Sequence, residues 1–217
     1  MEIDLLTNYP KAKRNTAERN EGKSEDVRAI ARQFGQAFFD GERQYGYGGF
    51  SYHPRFWQPV IPTLIEHFKL TSSSSLLDVG CAKGFMLYDL KQSLADIDIH
   101  GVDISDYAIE YAKPEVKGQL QVACATKLPF DDNRFDSVIS VNTVHNLEKE
   151  QCAIALQEIM RVSKGKAFIT VDAFRDDKQE KRMYEWNLTA KTIMHVDQWV
   201  AFFKQVGYTG DYFWFVP

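Results

Sequence analysis

Five short apolar runs alternate with helical stretches through the second half of this chain, and no other feature restricts its fold so strongly. The runs are SLLDVG (75–80), DIHGVDI (98–104), QLQVAC (119–124), FDSVISV (135–141) and KAFITVDA (166–173). Between them, residues 83–95, 105–113 and 148–162 carry apolar side chains at helical spacing. In the last of these, Cys152, Ala155, Leu156 and Ile159 form one stripe. A helix between successive strands implies parallel pairing through right-handed crossovers. The expected fold is therefore α/β, a doubly wound, mostly parallel sheet with helices on both faces. Beyond the fifth run the pattern predicts a helix around 177–187 and another at 197–206, capped by Asp197 and closed by Gly207. A last aromatic strand, DYFWFV, follows.

The N-terminal third reads differently. Residues 1–23 are polar and mixed in charge. Lys11, Lys13, Arg14, Arg19 and Lys23 could touch phosphate, but Glu18 and Glu21 interrupt the run, so a solvated arm is expected. Ser24 then opens SEDVRAIARQFGQAFFD, where Val27, Ile30, Phe34, Ala37 and Phe38 predict one amphipathic helix. The loop YGYGGFSYHPRFW is rich in glycines and rings, and QPVIPTLIEHF after it can start a helix if Gln58 caps it, which leaves Pro59 and Pro62 in the first turn. The division is an arm (1–23), a helical lid segment (24–69) and a core (70–217) within one domain.

Composition narrows the function. The net charge of −4 argues against a dedicated nucleic-acid binder. Three cysteines, Cys81, Cys124 and Cys152, are too few and too scattered for a disulfide framework or a metal site. Reduced thiols in a cytoplasmic protein are expected, with no metal. No stretch has the basic-then-apolar form of a secretory leader, and none reaches the ~18 apolar residues that span a bilayer. Oligomeric state is left open.

In open parallel sheets, ligands bind beyond the carboxyl ends of the strands, which directs attention to the turn after the first run. Its outer glycines, Gly80 and Gly84, stand four apart, whereas the dinucleotide fingerprint G-x-G-x-x-G sets them five apart. The turn resembles motif I of the class I S-adenosylmethionine (SAM)-dependent methyltransferases, acid-x-G-x-G-x-G. Asp78, Gly80 and Gly84 match, and Ala82 replaces the middle glycine. An alanine there is expected to have φ < 0. HGVDIS places Asp103 and Ile104 at the end of the second strand, where a carboxylate can accept from both ribose hydroxyls. ACATKLPFDDNRFDSVIS is similar to the family run G-D-A-x-x-L-P-F-x-D-x-x-F-D-x-V, and VNTVHNL to its LHHL segment. This resemblance spans residues 75–172 and implies a Rossmann-like fold, SAM as cofactor, S-adenosylhomocysteine as product and a small-molecule methyl acceptor. It sets Cys124, Ala125 and Thr126 beside the adenine, with Cys124 where the family has an acid. Cys81 reads as packing beside the nucleotide.

Methyl transfer from a sulfonium asks the protein for alignment and exclusion of water, and for a base if the nucleophile carries a proton. His145, just past the fourth strand, is the candidate base. Asn142 and Thr143 would shape the floor under the methionine moiety. The glycine-rich loop reads as a lid with Tyr45 or Tyr47 near the sulfonium and His53 as a second candidate base, which makes Tyr47 and His53 catalytic candidates. Arg175 with Arg55 could grip a phosphate or carboxylate. The segments EWNLTAKT and VGYTGDYFWF are similar to bacterial methyltransferases of surface-polysaccharide clusters, which implies a sugar- or phosphate-linked hydroxyl acceptor. The competing expectations are a nicotinamide-dependent oxidoreductase, a SAM binder without catalysis and an RNA target. The oxidoreductase lacks a placed Tyr-x-x-x-Lys pair: that spacing occurs at Tyr9 and Lys13, ahead of the nucleotide fold.

Overall fold

The computed structural model describes residues 1–11, 23–48 and 51–217. Lys13, Arg14 and Arg19 of the expected arm, and Gly49 and Phe50 of the expected lid loop, lie outside the described residues. Four short helices come first: α1 (Glu25–Ala31), α2 (Gln36–Asp40), α3 (Pro54–Trp57) and α4 (Ile61–Phe68). The sheet then begins, in the order β1 (Ser75–Val79), α5 (Phe85–Ser93), β2 (Asp98–Asp103), α6 (Asp106–Glu110), β3 (Leu120–Val122), β4 (Ser137–Val141), α7 (Lys149–Val162) and β5 (Ala167–Phe174). It ends with α8 (Asp177–Trp186), β6 (Met194–His195), α9 (Val196–Val206) and β7 (Asp211–Phe215).

The strand order is β3-β2-β1-β4-β5-β6, with β7 also paired to β5, and every pairing between these strands is parallel. Each β1 residue is buried, as expected of a strand covered on both sides. Alternation along it divides the core. Leu77 and Val79 face Cys152, Leu156 and Ile159 of α7 and Trp199 and Phe203 of α9, while Leu76 faces Ile61 and Leu64 of α4 and Leu87 and Leu90 of α5. The helices therefore cover both faces, as the alternating sequence pattern requires.

Four expectations are corrected. The single N-terminal helix is two, because Phe34 adopts φ +50 and Gly35 caps α2. The apolar spacing runs across that break because both pieces bury into one cluster, with Val27, Ala31, Phe38 and Phe39 packed around Ala108 and Leu188. Val60, not Gln58, caps α4, so Pro59 precedes the helix and Pro62 stands in its first turn. His195, not Asp197, caps α9: its ring accepts the Asp197 N–H at 3.2 Å, and Gln198 Oε1 accepts the His195 N–H at 3.0 Å. The start of the expected arm is docked rather than solvated, since Leu5 is buried in the core. Ile3 N–H donates to Tyr212 O and Tyr212 N–H to Met1 O, both at 3.0 Å, which extends the sheet beyond β7. At the arm's other end, the Lys23 ammonium donates to the carbonyls of Glu185 and Trp186 at 2.6 Å each. A cation there complements the carboxyl end of α8.

Candidate active site

The strand order reverses between β1 and β4, and the described residues line a cleft of about 1460 Å³ over that point. This exceeds the 300–1,000 Å³ usual for one small ligand, so donor and acceptor can share it.

The turn after β1 forms its floor. Gly80 has φ +86, and a Cβ there would stand 2.0 Å from Thr143 Oγ1, so only glycine fits between β1 and the turn after β4. Gly84, at φ +74, caps α5 and lets that helix approach Leu120, whose Cδ1 would be 2.8 Å from an added Cβ. Gly84 therefore serves packing and does not line the cleft. Ala82 contradicts its expectation, with φ +48 rather than negative. The left-handed turn brings the Ala82 N–H to Asp103 Oδ2 at 2.8 Å, and the alanine methyl joins the cluster around Phe38 and Phe39. A left-handed non-glycine residue costs roughly 1–2 kcal/mol. Ala82→Gly is therefore expected to raise stability by about 0.5–1 kcal/mol, after the greater unfolded-state entropy of glycine and the lost methyl contact are set against the relieved strain. Urea denaturation measures this, and a destabilised variant would show that the methyl contact outweighs the backbone strain.

Two carboxylates frame the turn. Asp103 accepts the Ala82 N–H on one oxygen and the Ser105 N–H at 2.9 Å on the other, which fixes its plane toward the cleft. Asp78 is buried, and burial together with the charge of Asp103 pushes its carboxyl up to about 8. Ile104, 55% exposed at the rim, stands with Cys124 and Ala125 as an apolar wall suited to a flat base. Burial raises the Cys81 thiol well above its usual range, so it lines the floor as a neutral group. Thr126 is bonded to Cys124, Oγ1 to Sγ at 3.0 Å, and stands off the wall. Asn142 sits at φ +53 at the end of β4, and its Oδ1 accepts the Thr170 hydroxyl at 2.9 Å.

The catalytic candidates separate. His145 lines the cleft, yet its Nδ1 accepts the Asp172 backbone N–H at 3.0 Å, so the proton sits on Nε2. Burial holds its pKa down at about 3, and although Nε2 lies 3.7 Å from Asp172 Oδ1 the ring stays neutral. Through that hydrogen bond the ring tethers β5 to the turn after β4. His53 is exposed and off the cleft, where its Nδ1 caps α3 through the Arg55 N–H at 3.2 Å. Tyr45 packs into the cluster under α2 and does not line the cleft. Tyr47 does line it, with its hydroxyl accepting the Leu188 N–H at 2.8 Å.

Sequence reasoning missed Lys83. Its ammonium is buried in the motif I turn and meets both oxygens of Asp40, the last residue of α2, at 2.7 Å. Burial pushes Asp40 up, but hydrogen bonds from Lys83 and Tyr107 outweigh it and hold the carboxyl below its usual range. The pair ties the N-terminal helices to the cofactor turn. A lysine inside a glycine turn gave the only hint, because its partner lies 43 residues away. Among the described residues, no group of three His, Cys, Asp or Glu could hold a metal ion, and no helix is long and apolar enough to cross a membrane.

The doubly wound parallel sheet is the Rossmann-like fold of class I methyltransferases, and the comparisons with known proteins support that SAM-dependent family. Comparison with known proteins agrees: residues 77–171 match the family described as Methyltransferase domain. The chain is 32% identical over 146 residues to a tRNA (carboxymethyluridine(34)-5-O)-methyltransferase of Arabidopsis thaliana, covering 66% of this chain and 34% of that one. It is 27% identical over 150 residues to the uncharacterized methyltransferase YdaC of Bacillus subtilis, covering 66% and 76%. Among solved structures, the MccD protein superposes with a TM-score of 0.54 at 25% identity, covering 67% of this chain and 68% of that one. The chain thus spans about a third of the length of the plant relative.

Proposed function

We propose that this chain transfers a methyl group from SAM to a small-molecule acceptor held at the β5 side of the cleft. The observation that carries this reading is the turn with Gly80 and Ala82 at positive φ, set between the buried Asp78 and the half-buried Asp103. Two acids and an alanine methyl oppose a diphosphate, which needs close backbone approach and donors. They suit a ligand with ribose hydroxyls at one end and positive charge at the other. Bound there, SAM supplies an electrophilic methyl on a sulfonium. Asp103 would accept from the ribose, Ile104 and Ala125 would flank the base, and Asp78 would balance the cationic end. These features disfavour a nicotinamide cofactor.

The acceptor is a separate matter. A sugar- or phosphate-linked hydroxyl of surface-polysaccharide synthesis would call for Arg175 and Arg55 to grip an anion. Arg175 instead pairs with Glu2 at 2.8 Å, and the Arg55 guanidinium lies 4.7 Å over the Phe56 ring, off the cleft. Of the two side chains, Arg175 lines the cleft, so that reading rests on Arg175 exchanging an exposed partner. The nucleic-acid acceptor named for the plant relative finds no counterpart in a chain of net charge −4. Calorimetric titration with SAM, S-adenosylhomocysteine and NADH tests the cofactor reading. Binding of the first two and none of NADH is expected; NADH binding without SAM would overturn it, and SAM binding without turnover on any acceptor would favour a non-catalytic binder.

A further inference from the structure

The helix α2 is five residues long, yet it is held at both ends by the two elements proposed to carry the donor. At its start, the Ser105 hydroxyl donates to the carbonyl of Phe34, the residue before the Gly35 cap. Ser105 is also the residue whose N–H fixes Asp103, at 2.9 Å. At its end, Asp40 receives the Lys83 ammonium on both oxygens at 2.7 Å and the Tyr107 hydroxyl on one of them at 2.8 Å. Lys83 follows Ala82 directly in the motif I turn. Between the two ends, Phe38 and Phe39 pack into the cluster that takes the Ala82 methyl. Phe39 also stacks on Tyr107, with ring centroids 6.4 Å apart at 25°. Phe34, Phe38 and Phe39 line the same cleft as Gly80, Ala82 and Asp103, so a ligand on the turn is bounded by α2.

We propose that Asp40 and Lys83 are positioning residues, whose ion pair clamps α2 across the donor site and sets how slowly the donor and its product leave. The inference rests on the methyl-transfer reading above. A five-residue helix has little stability of its own, so its place depends on what ties it down. The Lys83 side chain is 8% exposed and that of Asp40 33%, so the cation is fixed in the turn and the acid is the half that could move away. A lysine is rarely buried without a partner, and separating a buried pair strands a charge. Lifting α2 would leave the Lys83 ammonium in the cleft wall without the two oxygens that hold it.

Ala82 fits the same scheme. At φ +48 it carries backbone strain that glycine would not, and its methyl contacts the cluster formed by α2. Methyl transfer asks for a donor held still and shielded from water. Asp40 and Lys83 act on this through α2, without a part in the reacting bonds.

The test measures how fast S-adenosylhomocysteine binds to and leaves the full chain. Stopped-flow tryptophan fluorescence over a range of ligand concentrations gives both rates, and Trp57 and Trp186 of the cleft supply the signal. Asp40→Asn keeps the shape and removes the charge. It is expected to speed release about tenfold and to leave association within about threefold. Asp40→Glu, which restores the charge, should bring release back to within about threefold of the unmodified rate. Tyr107→Phe, at a half-buried residue, removes one of the three bonds to Asp40 and keeps the question answerable should Asp40→Asn not fold; release about threefold faster is expected. A merely structural role would lower the urea midpoint and the fraction of chain that binds, but not change the rate at which bound ligand leaves. Release at the unmodified rate in Asp40→Asn and Tyr107→Phe overturns the clamp and leaves the cofactor reading intact, as does a loss of affinity carried by association alone. Failure of the unmodified chain to bind S-adenosylhomocysteine overturns the cofactor reading, and the clamp with it.

Discussion

Gly80→Ala is expected to abolish SAM binding and to lower stability by about 3 kcal/mol. Two independent effects add. The residue sits at φ +86, where any side chain is strained, at roughly 1–2 kcal/mol. The new Cβ would also meet Thr143 Oγ1 at 2.0 Å and Cγ2 at 2.4 Å, an overlap that β1 and the turn after β4 relieve only by moving apart, at roughly 1–3 kcal/mol. That movement displaces Asp78, two residues upstream, and the Ala82 N–H that holds Asp103. A second substitution separates the two effects. Thr143→Gly removes the clashing side chain, so the double variant should recover the steric part and keep the backbone part. Urea denaturation and calorimetry measure both quantities. Unmodified stability and affinity in Gly80→Ala would show that this turn neither packs as described nor holds the cofactor.

The sheet was legible in the sequence because parallel strands covered on both faces are continuous apolar runs, and the helices between them leave little choice of connection. Where the reading failed, non-local contacts decided. The break at Phe34 leaves no mark in the apolar spacing, since both halves bury in one cluster, and the Phe34 carbonyl is taken by the Ser105 hydroxyl far along the chain. Ala82 was read from residue type alone, but its φ is set by the hydrogen bond to Asp103, 21 residues on. His145 drew attention through its position after β4. The contact its Nδ1 makes, with the Asp172 N–H 27 residues on, does not show in a motif. Tyr47, Asp172, Trp186 and Phe215 come from four separate parts of the chain and meet where β5, β7, α8 and the N-terminal loop converge. Lys83 and Asp40 pair in the same manner.

SAM affinity is expected to rise with pH, by about fiftyfold between pH 6 and pH 8, because of Asp78. Burial, reinforced by the charge of Asp103, holds its carboxyl at about 8 before ligand enters, so at pH 6 the folded chain carries a proton there. A cationic ligand beside it favours the carboxylate and lowers that pKa, so binding below pH 8 must expel the proton. Each unit below 8 then weakens apparent binding up to tenfold, and the dependence flattens above it. Folding follows the opposite sign. The folded-state pKa lies above the ordinary value of 3.8, so the ligand-free fold binds more protons than the unfolded chain between those limits, and this group's contribution to stability falls as pH rises toward 8. His145, held at about 3, works the other way: the fold loses stability as pH drops below the ordinary histidine value of 6.5. Above pH 7 the Asp78 effect therefore stands alone of the two, and the shift in melting temperature produced by saturating SAM should widen from pH 7 to pH 8. Calorimetry in buffers of different ionisation enthalpy counts the expelled proton directly. Asp78→Asn should flatten the profile, and a profile already flat in the unmodified chain would mean that Asp78 does not face the charged end of the cofactor.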